Sequence, residues 1–328
     1  LAKIPDFTFK NCYNLIGDLI ISDKVTSIGN SSFYNCFNLN GSIQISKKVS
    51  IIDENAFCNC SGLSGNLTLY ESLRTINQNA FLNCSNLHGD LIIPDSVTSI
   101  DDRAFSGCSG FNGQLHISNK LVKILDHIFK GCYGLTGNLS IPMSVVSIGI
   151  GSFSYCSNLN GLLMIPETVI SIGEEAFMGC SGLIGDLEIP NSVLAIGENA
   201  FCKCSGFNGQ LRISNNMSSI RDFTFSGCQK LSGTLEIPDN IKSIDAEAFS
   251  GCYGFTGLLR IPDTVISMDK LAFYECYGFN DELQISNSIK IIKKRTFYSC
   301  SGFIGVLTIP NSVISIDEGS FSNCSSFQ

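Results

Sequence analysis

The sequence predicts one elongated solenoid of stacked 24-residue coils, and three observations predict it. Fourteen phenylalanines, from Phe9 to Phe321, stand 24 residues apart without a slip. A cysteine follows each of them three residues later, from Cys12 to Cys324. No insertion interrupts the 328 residues, so about 13 to 14 repeats run as a single array over 1–328. A constant period of this length means that each unit makes one turn and buries its apolar face against its neighbours.

The clearest copy of the unit is Ile189 to Gly209, IPNSVLAIGENAFCKCSGFNG. Its first element is a short alternating run, as in Asp186-Leu187-Glu188-Ile189-Pro190. Period-two alternation over so few residues predicts a strand with Leu and Ile inward and the residues between outward. Proline closes seven of thirteen such runs, Pro94 and Pro190 among them, because it has no N–H for a ladder. Val193 and Ile196 then mark a second short strand. Their spacing of three, not two, requires a bend whose position the residues leave open.

The unit closes with x-x-x-A-F-x-x-C, seen at Glu198 to Cys204, whose spacing predicts a single helical or 3₁₀ turn laying one face inward. Three residues past each cysteine stands Leu or Phe. Two further on stands a glycine, broken only by Asp281. A glycine at a fixed corner implies either a positive φ or a close approach between coils, and aspartate is among the less costly substitutes in the left-handed region.

Composition agrees with a chain that points an apolar residue inward at every coil: 44% apolar, 15% charged, 31 glycines and no tryptophan. That balance argues against disorder. The formal charge of -8 argues against a nucleic-acid partner, whose footprint is a basic stripe. No apolar run approaches the ~18 residues of a membrane span. The N-terminal LAKIPDFTFK lacks the core of a signal peptide and fits the end of a repeat, so the chain reads as a fragment of a longer protein. The terminal coils lack polar caps, which predicts self-association through uncapped ends.

These residues resemble the BspA-like, or Treponema-type, leucine-rich repeat family, whose units read much like LxIPxSVxSIGxxAFxxCxxL. Pro166 to Leu183, PETVISIGEEAFMGCSGL, carries nearly the full signature, and the 24-residue step with its added glycine is close to the version common in parasitic protists. The segment Lys120 to Cys132 departs from the pattern, with Ile128 in place of alanine. The resemblance implies a right-handed, curved leucine-rich repeat solenoid with parallel strands and short turns or 3₁₀ segments. It further implies a non-enzymatic adhesion module of a cell-surface or secreted protein. Such a module would contact host matrix, host cells or other microbes, with glycans as a further ligand class. The alternative is a cytoplasmic scaffold for protein-protein interaction. The family offers no catalytic or cofactor residues to carry over.

Among the sixteen cysteines, fourteen recur once per coil, about 4.8 Å apart along the stack. Parallel Cβ vectors do not converge for disulfides, and one line of thiols cannot surround a metal, so buried free thiols are expected. His88, His116 and His127 are the only histidines and pair with no nucleophile at a catalytic spacing. Carboxylates such as Glu174, Glu175 and Glu198 fall at variable solvent positions, and no cofactor or metal is called for. Lys290, Lys293, Lys294 and Arg295 form the one dense basic cluster, read as a solvated turn or as a local anion or glycan contact.

The outward residue of the first strand is the informative one. It includes His116 and Met164, then Glu188, Arg212, Glu236 and Arg260 with alternating sign. Cross-strand charge pairing explains the alternation, and a binding face explains the variety, since solenoids place recognition on their varied positions. Val122, Val146, Ile170 and Leu194 form a further row that is either an apolar stripe or core, depending on where the bend falls. Eight N-x-S/T sequons occur, Asn30, Asn66, Asn138 and Asn216 among them.

Overall fold

The computed structural model describes residues 2–328 and divides them into two compact units, Leu1–Pro166 and Glu167–Gln328. Each unit is a stack of 24-residue coils carrying two rows of two-residue parallel strands, and no helix occurs among the described residues. In the first unit, Lys3–Ile4, Ser27–Ile28, Ile51–Ile52, Thr75–Ile76 and Ser99–Ile100 form one five-stranded parallel sheet. Leu19–Ile20 pairs with Ile43–Gln44, Leu91–Ile92 with Leu115–His116, and Leu139–Ser140 with Leu163–Met164. In the second unit Leu187–Glu188 pairs with Leu211–Arg212, and Leu259–Arg260 with Leu283–Gln284. Ser219–Ile220, Ser243–Ile244 and Ser267–Met268 form a three-stranded sheet there. Every one of these partners lies 24 residues away, so each inward side chain rests on its own counterpart.

The interior of one coil is the set of apolar positions of the repeat. Leu91, Ile93, Val97, Ile100, Ala104, Phe105, Cys108 and Phe111 are all at most 3% exposed. The phenylalanines stack in register: Phe57, Phe81 and Phe105 have ring centroids 5.2 Å apart, and in the second unit Phe249 and Phe273 are likewise 5.2 Å apart. Offset parallel rings at this distance add to the area they bury.

The bend between the two strand rows lies in a tight turn opened by the residue that closes the first strand. The Pro94 carbonyl accepts from Val97 N–H at 3.0 Å, and Pro142, Pro190 and Pro262 repeat the arrangement. Where proline is missing, serine takes the place in five coils and Tyr70 in one, and four of the serines use their hydroxyl as a donor. Ser46, Ser118, Ser214 and Ser286 each donate Oγ–H to the carbonyl of the inward valine one coil back, at 2.6–2.8 Å. These serines are buried without an unpaired hydroxyl, which is why the position accepts serine as well as proline.

The segment around each phenylalanine differs from the expected helical or 3₁₀ turn. It is a chain of overlapping turns with two residues at positive φ, one two positions before the phenylalanine and one two positions after. Asn79 (56°) and Asn83 (60°) flank Phe81, and Asn199 (58°) and Lys203 (61°) flank Phe201. The left-handed residues break any run of consecutive helical bonds, so N–H groups alternate in destination. Ala104, Ser106 and Cys108 bond back to Asp101, Arg103 and Phe105 within the coil, as turns do. Between them Arg103, Phe105 and Gly107 donate outward to Asp126, Ile128 and Lys130 of the next coil. Asparagine and glycine hold many of these positions because they enter the left-handed region at least cost. Gly107 stands where Asn83 stands one coil earlier, and Gly131 holds the same place one coil further on.

The recurring glycine corner has both of the suggested causes, one at a time. Gly17, Gly89 and Gly185 have φ of 81–86°. Gly41, Gly113 and Gly209 do not; a Cβ there would lie 2.5–2.8 Å from the backbone nitrogen of Asp18, Asp90 or Asp186 one coil back. Asp281 is not left-handed, so its tolerance of that region is not what allows it at this corner.

Candidate functional site

The outward residues of the first strand row are exposed as the alternation requires. In the first unit His116 and Met164 face solvent beside inward Leu115 and Leu163, Met164 being 45% exposed. Ile20 and Ile92, on the same row, are also exposed. A groove of about 460 Å³ runs beside His116, bordered by Ile92, Pro94, Asp95 and Asn119.

In the second unit Glu188, Arg212, Glu236 and Arg260 are all exposed. Arg212 donates to Glu188 at 2.8 Å, the cross-strand pair that the alternating charge predicts. Arg260 instead reaches Asp239 at 3.0 Å, because the aspartate on the neighbouring turn lies within the arc of the long guanidinium side chain. Glu236 lies outside the strand segments, so the row is less regular than its sequence. Exposed pairs of this kind contribute little to folding, about 0–1 kcal/mol each, which leaves the side chains free to serve another purpose.

The apolar row one position past the inward valine divides between the units. Val122 is 55% exposed and Val146 half-buried in the first; Ile170 and Leu194 are about half exposed in the second. These residues are surface, because the bend falls in the preceding turn. Within the basic cluster, Lys293 pairs with Asp269 at 2.8 Å and Lys294 with Glu318 at 2.9 Å. Arg295 lies over the Tyr298 ring. Two of its four charges are therefore neutralised by carboxylates on neighbouring coils.

All sixteen cysteines are free. The repeat thiols have a partner that sequence reasoning missed. Twelve of them donate S–H to the carbonyl of the phenylalanine one coil back, as Cys84 to Phe57 at 3.1 Å and Cys252 to Phe225 at 3.0 Å. Burial pushes the thiols up from their ordinary value of about 9, to about 12 at Cys132 and Cys276. A thiol that is protonated, donating and shut off from solvent is a poor nucleophile and a poor metal ligand.

A second exposed feature lies along the phenylalanine segments of the first unit. The left-handed asparagines form an amide ladder in which Asn35 donates Nδ2–H to Asn11 Oδ1 at 3.1 Å, Asn59 to Asn35 at 2.9 Å and Asn83 to Asn59 at 2.9 Å. Beside it Tyr13 and Phe37 stack with centroids 5.2 Å apart, both more than 40% exposed. The recurrence of Asn two residues past Phe was the available signal, hidden by the variety of residues at that place in later coils.

Membership and resemblance follow from this geometry. No helix among the described residues is long and apolar enough to cross a membrane. No curated protein matches the chain. In fold it is similar to a leucine-rich repeat protein from Bacteroides ovatus ATCC 8483, with 23% identity and a TM-score of 0.66 over 99% of this chain and 80% of that one. It is also similar to the pneumococcal vaccine antigen PcpA, with 17% identity and a TM-score of 0.54 over 99% of this chain and 90% of that one. The model of the BspA type leucine rich repeat region matches residues 2–136, 89–208, 122–256 and 208–328. With its 24-residue coils, inward Leu-Ile-Val-Phe set and near-complete coverage by that model, the chain belongs to the BspA type leucine rich repeat family.

Proposed function

We propose that the chain is a binding module, without catalysis of its own, from a cell-surface or secreted protein, and that it holds protein ligands of host or microbial origin on its first strand row. One observation carries the reading. Along that row the inward residue stays Leu or Ile while the exposed residue beside it changes from His116 and Met164 to Glu188, Arg212, Glu236 and Arg260. Uniform packing with varied exposed chemistry is how solenoids separate stability from recognition. The surface location draws on the similarity in fold to a protein described as a vaccine antigen. Free thiols would ordinarily favour a reducing compartment, but buried, protonated ones also persist in an oxidising one, so they do not favour the cytoplasmic scaffold.

The test is direct binding of the purified chain to immobilised matrix proteins and to intact host cells. Saturable binding with Kd of about 10 μM or tighter is expected, weakened by the charge reversals Arg212→Glu and Arg260→Glu. Absence of binding to every matrix protein and cell type, or binding indifferent to both reversals, would remove the strand row as the recognition surface.

A further inference from the structure

The amide ladder and the aromatic pair of the first unit border one shallow groove of about 620 Å³, lined by Tyr13, Asn35, Phe37, Asn59, Ser61 and Asn83. The aromatic stack stops there. Tyr13 covers one face of Phe37, but the next coil carries Ser61 at the equivalent position, so the other face of Phe37 has no ring against it. The result is a step: an exposed aromatic face looking along the stack over a small hydroxyl residue, with the amides of Asn35 and Asn59 at its side.

The amides have capacity to spare. Each asparagine side chain offers two N–H donors and two acceptor lone pairs. The ladder uses one of each at Asn35 and at Asn59. One donor and one acceptor remain on each. None of the six lining residues carries a formal charge at neutral pH, so nothing in the groove selects a phosphate or a carboxylate. A flat ring with an apolar C–H face and hydroxyls on its rim matches both halves. The C–H face meets the negative face of the phenylalanine ring, and the hydroxyls, each both donor and acceptor, meet the amides.

We propose that this groove binds a neutral oligosaccharide, with one sugar ring stacked on the free face of Phe37 and its hydroxyls bonded to Asn35 and Asn59. The site is separate from the strand row and does not depend on its role. Two substitutions remove its halves while installing residues that other coils already carry at the same places. Phe37→Ser copies Ser61. Asn59→Gly copies Gly107 and keeps the left-handed backbone.

The test is saturation-transfer NMR on the full chain with chitotriose, maltotriose and lactose as neutral probes and sialyllactose as the charged one. At least one neutral probe is expected to bind with Kd of about 1 mM or tighter. Phe37→Ser and Asn59→Gly should each weaken it about tenfold, the worth of one ring contact or one to two hydrogen bonds, while Arg212→Ala leaves it unchanged. The proposal is overturned if no neutral probe binds, if binding survives both substitutions, or if only sialyllactose binds. Concentration-dependent dimers abolished by Phe37→Ser, with no sugar binding, would assign the groove to self-association and overturn it equally.

Discussion

Raising the pH from 8 to 10 should destabilise the first unit through its thiols. Cys84, Cys108 and Cys132 are completely buried and each is pushed up by that burial, Cys132 to about 12. An acid whose folded pKa is raised stabilises fully below its unfolded value and loses that contribution as pH climbs towards the folded value. The window therefore opens at about 9 and extends to about 12 for Cys132. At pH 10 an unfolded thiol is about nine-tenths ionised, while folded Cys132 is about one-hundredth ionised and Cys84 and Cys108, pushed well above their ordinary value, stay protonated, which costs about 1 to 2 kcal/mol per thiol by linkage. Three such thiols amount to about 4 kcal/mol, a large fraction of an ordinary domain's stability. The assay is urea unfolding at the two pH values, on the wild type and on a variant carrying Cys84→Ala, Cys108→Ala and Cys132→Ala. The wild type should lose about 4 kcal/mol more than the variant between pH 8 and 10, which separates the thiols from tyrosines and lysines that titrate nearby. In parallel, native Cys132 should resist a thiol reagent at pH 8, where only about one in ten thousand is thiolate. Equal pH dependence of the two proteins, or complete labelling of the native chain on mixing, would refute the buried donating thiol.

Three further substitutions test the packing. Phe81→Ala removes a ring stacked at 5.2 Å on both sides and should cost about 3–5 kcal/mol in urea unfolding; a loss below about 1 kcal/mol would mean the stack contributes little. Gly110→Ala would place a Cβ 2.3 Å from Ser85 O and 2.5 Å from Leu87 O, both backbone, so the coils must part. It should cost about 3 kcal/mol, read as a lowered melting temperature. Arg212→Ala breaks only an exposed pair and should change stability by less than about 1 kcal/mol, so any larger shift would show that the strand row is structural.

The coil length, the eight buried residues and the outward strand positions were readable because they repeat with the period that the stack imposes. Leu91, Val97 and Phe105 each rest on their own copies, so one pattern determines both neighbours. The turns around phenylalanine were not readable. Their left-handed positions hold Asn79 in one coil but Glu175, Phe223 or Leu271 in others, and backbone satisfied by the next coil tolerates residues that an isolated turn would reject. Gly110 was missed for the related reason that its neighbour is a carbonyl one coil away. At the candidate site, alternation of charge foretold Glu188 with Arg212, but the partner of Arg260 depends on side-chain reach and falls on Asp239. The step at Phe37 needs three coils superposed before it exists.

The outward backbone bonds of the phenylalanine segments all run one way. Asn79, Phe81 and Asn83 give their hydrogens to Asp102, Ala104 and Ser106, and Arg103, Phe105 and Gly107 pass theirs onward in turn. A segment of this kind has a donor rim and an acceptor rim, like a tile with pegs above and sockets below. Within a unit, a duplicated or deleted block of 24 residues would therefore meet matching rims on both sides. The array can lengthen or shorten by whole coils without inventing a new junction, and any half-coil change would set pegs against pegs.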